Sequence, residues 1–226
     1  MTDGAAPLHR HINGVEVVTA AYGYSDYFHF LRSWIANPLR VAAVAPSGGS
    51  LSRLMTMEIS SRDGPVLELG PGTGAFTRSL LERGVDEGDL TLVEYGSDFA
   101  RLLEFRFPRA RILWMDASKL ASHELFKEAN VGAVVSGLPL LSMPPRKVIA
   151  ILSGASTCIR PNGAFYQFTY GPRCPVPRTI LDRLGLKARR IGGTVRSIPP
   201  AAVYRITRRG PLGIMPTRLR PETVEA

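Results

Sequence analysis

The residues best suited to do chemistry are three acids and a run of glycines. Val66-Leu67-Glu68-Leu69 is a short apolar stretch carrying one acid, and Gly70-Pro71-Gly72-Thr73-Gly74 follows at once. The segment after it has the composition of a helix. Strand, glycine turn and helix in that order open a nucleotide site, because glycine lets the backbone turn tightly and approach a ligand closely. A dinucleotide fingerprint would place a third glycine at 77, where Thr77 stands. Glu68 would also repel a pyrophosphate, whereas a cationic ligand would be accepted.

Two further apolar runs end in acids. Leu90-Thr91-Leu92-Val93-Glu94 is followed by Tyr95, and Arg111-Ile112-Leu113-Trp114-Met115-Asp116 by Ala117. A carboxylate at the end of the second strand of such a unit is placed to accept from both ribose hydroxyls. A fourth run, Val131–Ser136, passes into Gly137-Leu138-Pro139.

The spacing predicts helices near 73–83, 98–107 and 118–129. Another runs from Pro144-Pro145 to about 159, proline being tolerated in a first turn. A fifth strand is read at 164–170, a short helix at 178–184, and two closing strands at 186–195 and 201–207. Strands alternating with helices predict a parallel sheet, and a short connection between the last two predicts an antiparallel pair. The fold class is therefore α/β, Rossmann-like: a seven-stranded, mostly parallel sheet with the last strand antiparallel and helices on both faces. Before this lies a leader without strong signals, then an aromatic-rich amphipathic helix, Asp26–Ala36, ended by Asn37-Pro38. A helix from about 51 to 60 precedes the first strand. The expected domains are 1–62, the leader and amphipathic helices; 63–210, the catalytic domain; and 211–226, a flexible basic tail.

The 226 residues suffice for one α/β domain with a sizeable core. No apolar run is long enough to span a membrane, and the N-terminus lacks a secretory pattern. Cys158 and Cys174 form no framework, and no His/Cys/acid spacing suggests a metal. The net charge of +9 is uneven. Residues 1–171 carry 16 basic and 16 acidic side chains, whereas 172–226 carry 12 basic against 3 acidic. A one-sided basic region suits a polyanion, lipid or nucleic acid, or serves solubility.

The E-L-G-P-G-T-G segment resembles motif I of the class I S-adenosylmethionine methyltransferases. From about Phe30 to Arg209 the chain is similar to bacterial phospholipid N-methyltransferases that act on phosphatidylethanolamine. The segments that carry this are F-L-R-S-W-I at 30–35, A-P-S-G-G-S-L at 45–51, motif I, L-V-E-Y at 92–95, S-G-L-P-L-L-S-M-P at 136–144 and F-Y-Q-F-T-Y-G-P at 165–172. The resemblance implies S-adenosylmethionine as cofactor, S-adenosylhomocysteine as product and no metal. Glu68, Gly70, Pro71, Gly72, Thr73 and Gly74 would hold the amino acid end and sulfonium. Glu94 and Tyr95 would serve the ribose side, Asp116 and Ala117 the adenine, and Ser136 and Gly137 would bind the cofactor from the turn after the fourth strand. Leu138 and Pro139 would wall the reacting methyl.

The implied reaction is methylation of phosphatidylethanolamine and its mono- and dimethyl products towards phosphatidylcholine, by a cytoplasmic monomer peripheral on the inner face of the membrane. Asp26–Ala36 and the basic 172–226 segment would meet anionic lipid, and no nucleic acid partner is expected. The helix could equally pack on the domain as a lid. Tyr24 and His29 are expected catalytic residues, with Tyr166, as candidates to receive the amine proton. Motif I is shared with ribosomal RNA adenine N6-dimethyltransferases, the alternative function. Those enzymes carry Asn/Asp-(any)-Pro-aromatic after the fourth strand to read and stack a flipped base. Here Leu140 replaces the aromatic and the segment has no carboxamide, which favours a flexible alkyl amine.

Overall fold

A computed structural model describes residues 9–12, 15–18, 48–123, 130–170, 173–194 and 200–210. The expected Asp26–Ala36 helix, Tyr24, His29 and the 211–226 tail lie outside the described residues.

The chain forms two compact units, 1–45 and 46–226. In the first, β1 (His9–Ile12) and β2 (Val15–Val18) pair antiparallel, His9 opposite Val18 and Ile12 opposite Val15. The reading of a leader without structure missed this pair. The signal was the Asn13-Gly14 dipeptide between two short runs.

The second unit begins with α1 (Gly48–Met55), and β3 (Val66–Leu69), α2 (Ala75–Glu82), β4 (Leu90–Glu94), α3 (Ser97–Arg106) and β5 (Arg111–Trp114) follow. Then come β6 (Val131–Ser136), α4 (Pro145–Cys158), β7 (Ile159–Thr169), α5 (Arg178–Arg183), β8 (Leu186–Thr194) and β9 (Ala201–Arg208). The seven strands lie in the order β5-β4-β3-β6-β7-β9-β8. Pairs from β5 to β7 are parallel, and β9 runs antiparallel to both β7 and β8. The expected fold class is the observed one.

Each face of the sheet has its own core. Leu67, Leu69 and Val134 pack with Val148, Ile151, Leu152 and Ala155 of α4. Val66, Leu92 and Val135 on the other face pack with Leu51 and Met55 of α1, Leu80 of α2 and Leu103 of α3. Alternate residues of a strand point to opposite faces, so near-continuous apolar runs are what a doubly covered parallel sheet demands. Leu51 and Met55 are buried in the sheet's core, so α1 belongs to this unit.

Local differences from the sequence reading have physical causes. The helix expected over 118–129 is a 3-10 turn, Ala117–Ser122, and residues 124–129 lie outside the described residues. Asp116 caps that turn by accepting from the Ser118 amide at 2.9 Å. The expected fifth strand starts earlier, at Ile159, directly after α4, and a register shift between Val131 and Ala133 absorbs Pro161-Asn162-Gly163.

Candidate active site

Four strands of the parallel sheet end at one edge, and the turns after them build the site. Open α/β sheets bind ligands at that carboxyl edge, where the strand order reverses, here between β3 and β6. Gly70 donates its amide to the Val93 carbonyl and Gly137 donates to Leu69, so the turn after each strand is tied to a neighbour. Gly70, Gly72 and Gly74 all have positive φ (66°, 56° and 79°), the left-handed region that glycine enters without steric cost. Their surroundings differ. A Cβ on Gly74 would lie 2.5 Å from the Phe107 ring, and one on Gly70 would lie 2.7 Å from the Leu138 side chain. A Cβ on Gly72 would meet nothing within 4 Å. Gly74 and Gly70 are filled against protein, and Gly72 faces open space.

Glu94 organises that open loop. Its Oε2 accepts from the Gly72 amide at 3.1 Å and its Oε1 from the Gly96 amide at 2.8 Å. The next residue, Tyr95, is 75% exposed, and the Trp114 indole donates to its carbonyl at 2.9 Å. Exposed aromatic rings of this kind offer a flat surface beside the loop.

Glu68 sits beneath the loop, fully buried, and its Oε2 accepts from the Thr77 hydroxyl at 2.7 Å. Its Oε1 has no partner. Burial pushes its carboxyl up to about 8, the Thr77 hydroxyl pulls against this, and nearby Glu94 adds to the rise. Glu68 therefore supports the loop from inside, bonded to α2. Asp116 is also engaged, since its Oδ2 accepts from the Lys147 ammonium at 2.8 Å. Burial pushes the Asp116 carboxyl upward, but Lys147 and the Ser118 amide outweigh it and hold the group below its usual range. Lys147 lies 6.0 Å from the Tyr95 ring centroid and thus joins α4 to the β4 and β5 turns. Sequence spacing gave no hint of Lys147, which approaches from 31 residues away.

The turn after β6 closes the other side. Ser136 is buried, and its hydroxyl oxygen accepts from the Leu138 amide at 3.3 Å. The Leu138 side chain lies against Gly70, and Gly137 is packed so closely on the Gly70 carbonyl that a Cβ would stand 2.5 Å from it. Leu140 is 2% exposed and belongs to the core. Pro71, Thr73 and Ala117 lie in the turns after β3 and β5. Tyr166 stands apart from these turns: its hydroxyl donates to Glu58 at 3.3 Å, and burial raises its phenol. Among the described residues there is no cluster of three or more His, Cys, Asp or Glu side chains that could hold a metal.

No family model matches the chain. It is 30% identical over 152 residues to an ornithine lipid N-methyltransferase of Singulisphaera acidiphila, covering 65% of this chain and 79% of that one. The chain belongs to the class I S-adenosylmethionine-dependent methyltransferases. Two ribosomal RNA small subunit methyltransferases A are also similar. That of Maridesulfovibrio salexigens is 38% identical over 84 residues, and that of Bordetella pertussis 32% over 125. The alignments cover 30% and 41% of those enzymes, less than half of each. Among solved structures, a TehB-like methyltransferase of Corynebacterium glutamicum superposes with a TM-score of 0.56 at 15% identity, over 83% of this chain and all of the other. A didemethyltoxoflavin N1-methyltransferase of Burkholderia thailandensis, solved with S-adenosylhomocysteine, gives 0.54 at 18% identity over 89% and 94%. These two likenesses concern the fold.

The cofactor of this enzyme is S-adenosylmethionine, and the residues present fit it. Gly72 leaves room for a ligand, Glu94 brings a carboxylate to the loop, and the buried Oε1 of Glu68 lacks a partner that a cation or a bridging water would supply.

Proposed function

We propose that this methyltransferase methylates the primary amine of a lipid headgroup, phosphatidylethanolamine first, and continues to the mono- and dimethyl products. One observation carries the reading. The residue at the place of the base-stacking aromatic, Leu140, is a core leucine with 2% exposure. A flipped purine needs a stacking platform, and an alkyl amine needs none. The similarity to an ornithine lipid enzyme supports an amine on a lipid, and favours ornithine lipid as the second substrate to try. Adenine in ribosomal RNA, the other class of substrate among the relatives, is tested in the same experiment.

Glu94 would hold the ribose, the Gly70–Gly74 backbone the amino acid end, and Asp116, oriented by Lys147, the adenine. S-adenosylmethionine, when bound, supplies a methyl already activated on a sulfonium. The work of the chain is therefore placement and exclusion of water. Leu138 and Pro139 wall the site beside Gly70, and the acceptor nitrogen that takes the methyl gives up one proton to water.

A lipid substrate brings the enzyme to a bilayer. Among the described residues no helix is long and apolar enough to cross one, so peripheral binding at the inner face is the proposal. Arg189 and Arg205 pair with Glu58, and Arg178 and Arg209 with Asp182, so four basic side chains of this segment already have acidic partners within the protein. Basic residues near an anionic surface contribute about 1 kcal/mol each, and salt screens them. Flotation should therefore rise with anionic lipid and fall with salt. Trp34→Asp should weaken it if the Asp26–Ala36 stretch enters the interface, and unchanged flotation would leave that stretch as a lid. For the reaction, labelled S-adenosylmethionine is incubated with phosphatidylethanolamine vesicles, ornithine lipid vesicles and small-subunit ribosomal RNA in parallel. Label in phosphatidylethanolamine supports the proposal, and label in RNA alone overturns it.

A further inference from the structure

We propose that Gln167 receives the acceptor amine: its side-chain oxygen takes a hydrogen bond from an N–H of the nitrogen to be methylated. This rests on the amine reading above. Gln167 stands on β7 directly opposite Ser136, the last residue of β6, and is 1% exposed. Its Nε2 donates to the carbonyls of Leu138 and Phe168, both at 2.9 Å. Two carbonyl partners demand a donor, so the opposite end of the amide is the oxygen. That oxygen, Oε1, is buried and has no partner.

A buried acceptor left unpaired is costly, so its presence at a site calls for a partner, a bound ligand or a water, that satisfies it. The surroundings of Gln167 say what kind. The Leu138 carbonyl already accepts from the Leu140 amide as well as from Gln167. With both its lone pairs engaged, that backbone oxygen is spent, and the unpartnered Oε1 offers a free acceptor beside this turn. Among the described residues two other buried side-chain atoms are unpartnered, Glu68 Oε1 under the cofactor loop and Arg205 Nε, and the latter faces Glu58 at 3.3 Å. Only Gln167 lies against the turn that walls the reacting methyl. The carboxamide absent from residues 136–140 is thus supplied from the neighbouring strand, one register position away. An amide oxygen accepts a hydrogen bond but takes up no proton at neutral pH. Its role is to aim the nitrogen, with the lone pair left for the methyl.

The number of N–H groups on the acceptor gives the test. A neutral primary amine has two, a neutral dimethylamine none, so Oε1 can aim the first methyl transfer and not the last. Wild type, Gln167→Met and Gln167→Glu are compared on vesicles of phosphatidylethanolamine and of its dimethyl derivative, with S-adenosylmethionine affinity and melting temperature as checks of the fold. Gln167→Met should lower the rate on the primary amine by about tenfold relative to the dimethyl lipid, the scale of one hydrogen bond. Gln167→Glu, protonated when buried, keeps both a donor and an acceptor and should restore most of the ratio. Independently of turnover, the Gln167 side-chain amide resonance should shift with glycerophosphoethanolamine and stay in place with glycerophosphocholine, whose nitrogen has no N–H. Equal losses on both lipids, or equal shifts with both headgroups, would leave Gln167 a support of the turn and overturn the inference. A Gln167→Met chain that does not fold leaves the resonance to decide. No wild-type transfer to either lipid would overturn the lipid reading itself, and this inference with it.

Discussion

Glu94 and Gln167 are counterparts on opposite sides of β3. Each is a buried polar side chain on a parallel strand, and each holds a turn at the carboxyl edge. Glu94 spends both oxygens on backbone amides, of Gly72 and Gly96. Gln167 spends its nitrogen on two carbonyls and keeps an oxygen unpaired. The cofactor side is thus a scaffold of amides gathered by a carboxylate, with room left at Gly72. The acceptor side is a packed turn with one unused acceptor. The difference suits the two partners of the proposed reaction: a cofactor used in every turnover, and an amine whose hydrogens change as it is methylated.

The comparison can be broken most severely within the glycine loop. Gly74→Val puts a branched side chain into the left-handed region and into the Phe107 ring. It should cost about 2–5 kcal/mol of unfolding free energy, the sum of conformational strain and overpacking, read by denaturant titration. Gly72→Val, in the same backbone region but in open space, should cost only about 1–2 kcal/mol of strain. Calorimetry should then find its affinity for S-adenosylmethionine lowered at least about tenfold, because the side chain fills the ligand's place. Normal affinity in a folded Gly72→Val protein would mean that the loop is not the cofactor's cradle.

Glu94→Ala comes next, because it removes the partner of two amides. Cofactor affinity should fall about tenfold, on the scale of charged hydrogen bonds, with a smaller fall in melting temperature. A more specific effect is expected from pH. The Glu68 carboxyl is raised by burial to about 8, well above the ordinary 4.5. The folded state then holds a proton that the unfolded state has lost, so stability should decline as pH rises from about 4.5 to 8 and level off beyond. Glu68→Gln should flatten that decline in thermal melts from pH 5 to 9, and an unchanged slope would show that another group titrates. The smallest effect belongs to the surface. Arg109 and Asp86 form a pair at 3.3 Å with both side chains about two-thirds exposed, so Arg109→Ala should change stability by no more than about 0.5 kcal/mol.

The same asymmetry decided what the sequence could reveal. Glu94 and Asp116 stand at the ends of apolar runs, and the glycine loop is contiguous, so the turns proposed for the cofactor could be read from short-range pattern. The order of elements also implied the mostly parallel sheet and its reversed strand. Gln167 lies inside the run F-Y-Q-F-T-Y, where a polar residue reads as an ordinary strand position. Its meaning depends on β7 lying beside β6, which no local spacing records. The partners of Tyr166 and Asp116 were hidden for the same reason: Glu58 and Lys147 reach them from 108 and 31 residues away. Likewise the +9 charge could be counted from the sequence, but not which basic side chains Glu58 and Asp182 pair with.

The most direct test of the central claim is a competition for one methyl group. The enzyme is given limiting labelled S-adenosylmethionine together with phosphatidylethanolamine vesicles and small-subunit ribosomal RNA, and lipid and RNA are then separated and counted. The expected result is label in the lipid fraction as mono- and dimethylated headgroups, with none in RNA. Label recovered in adenine, with the vesicles unmodified, would contradict it.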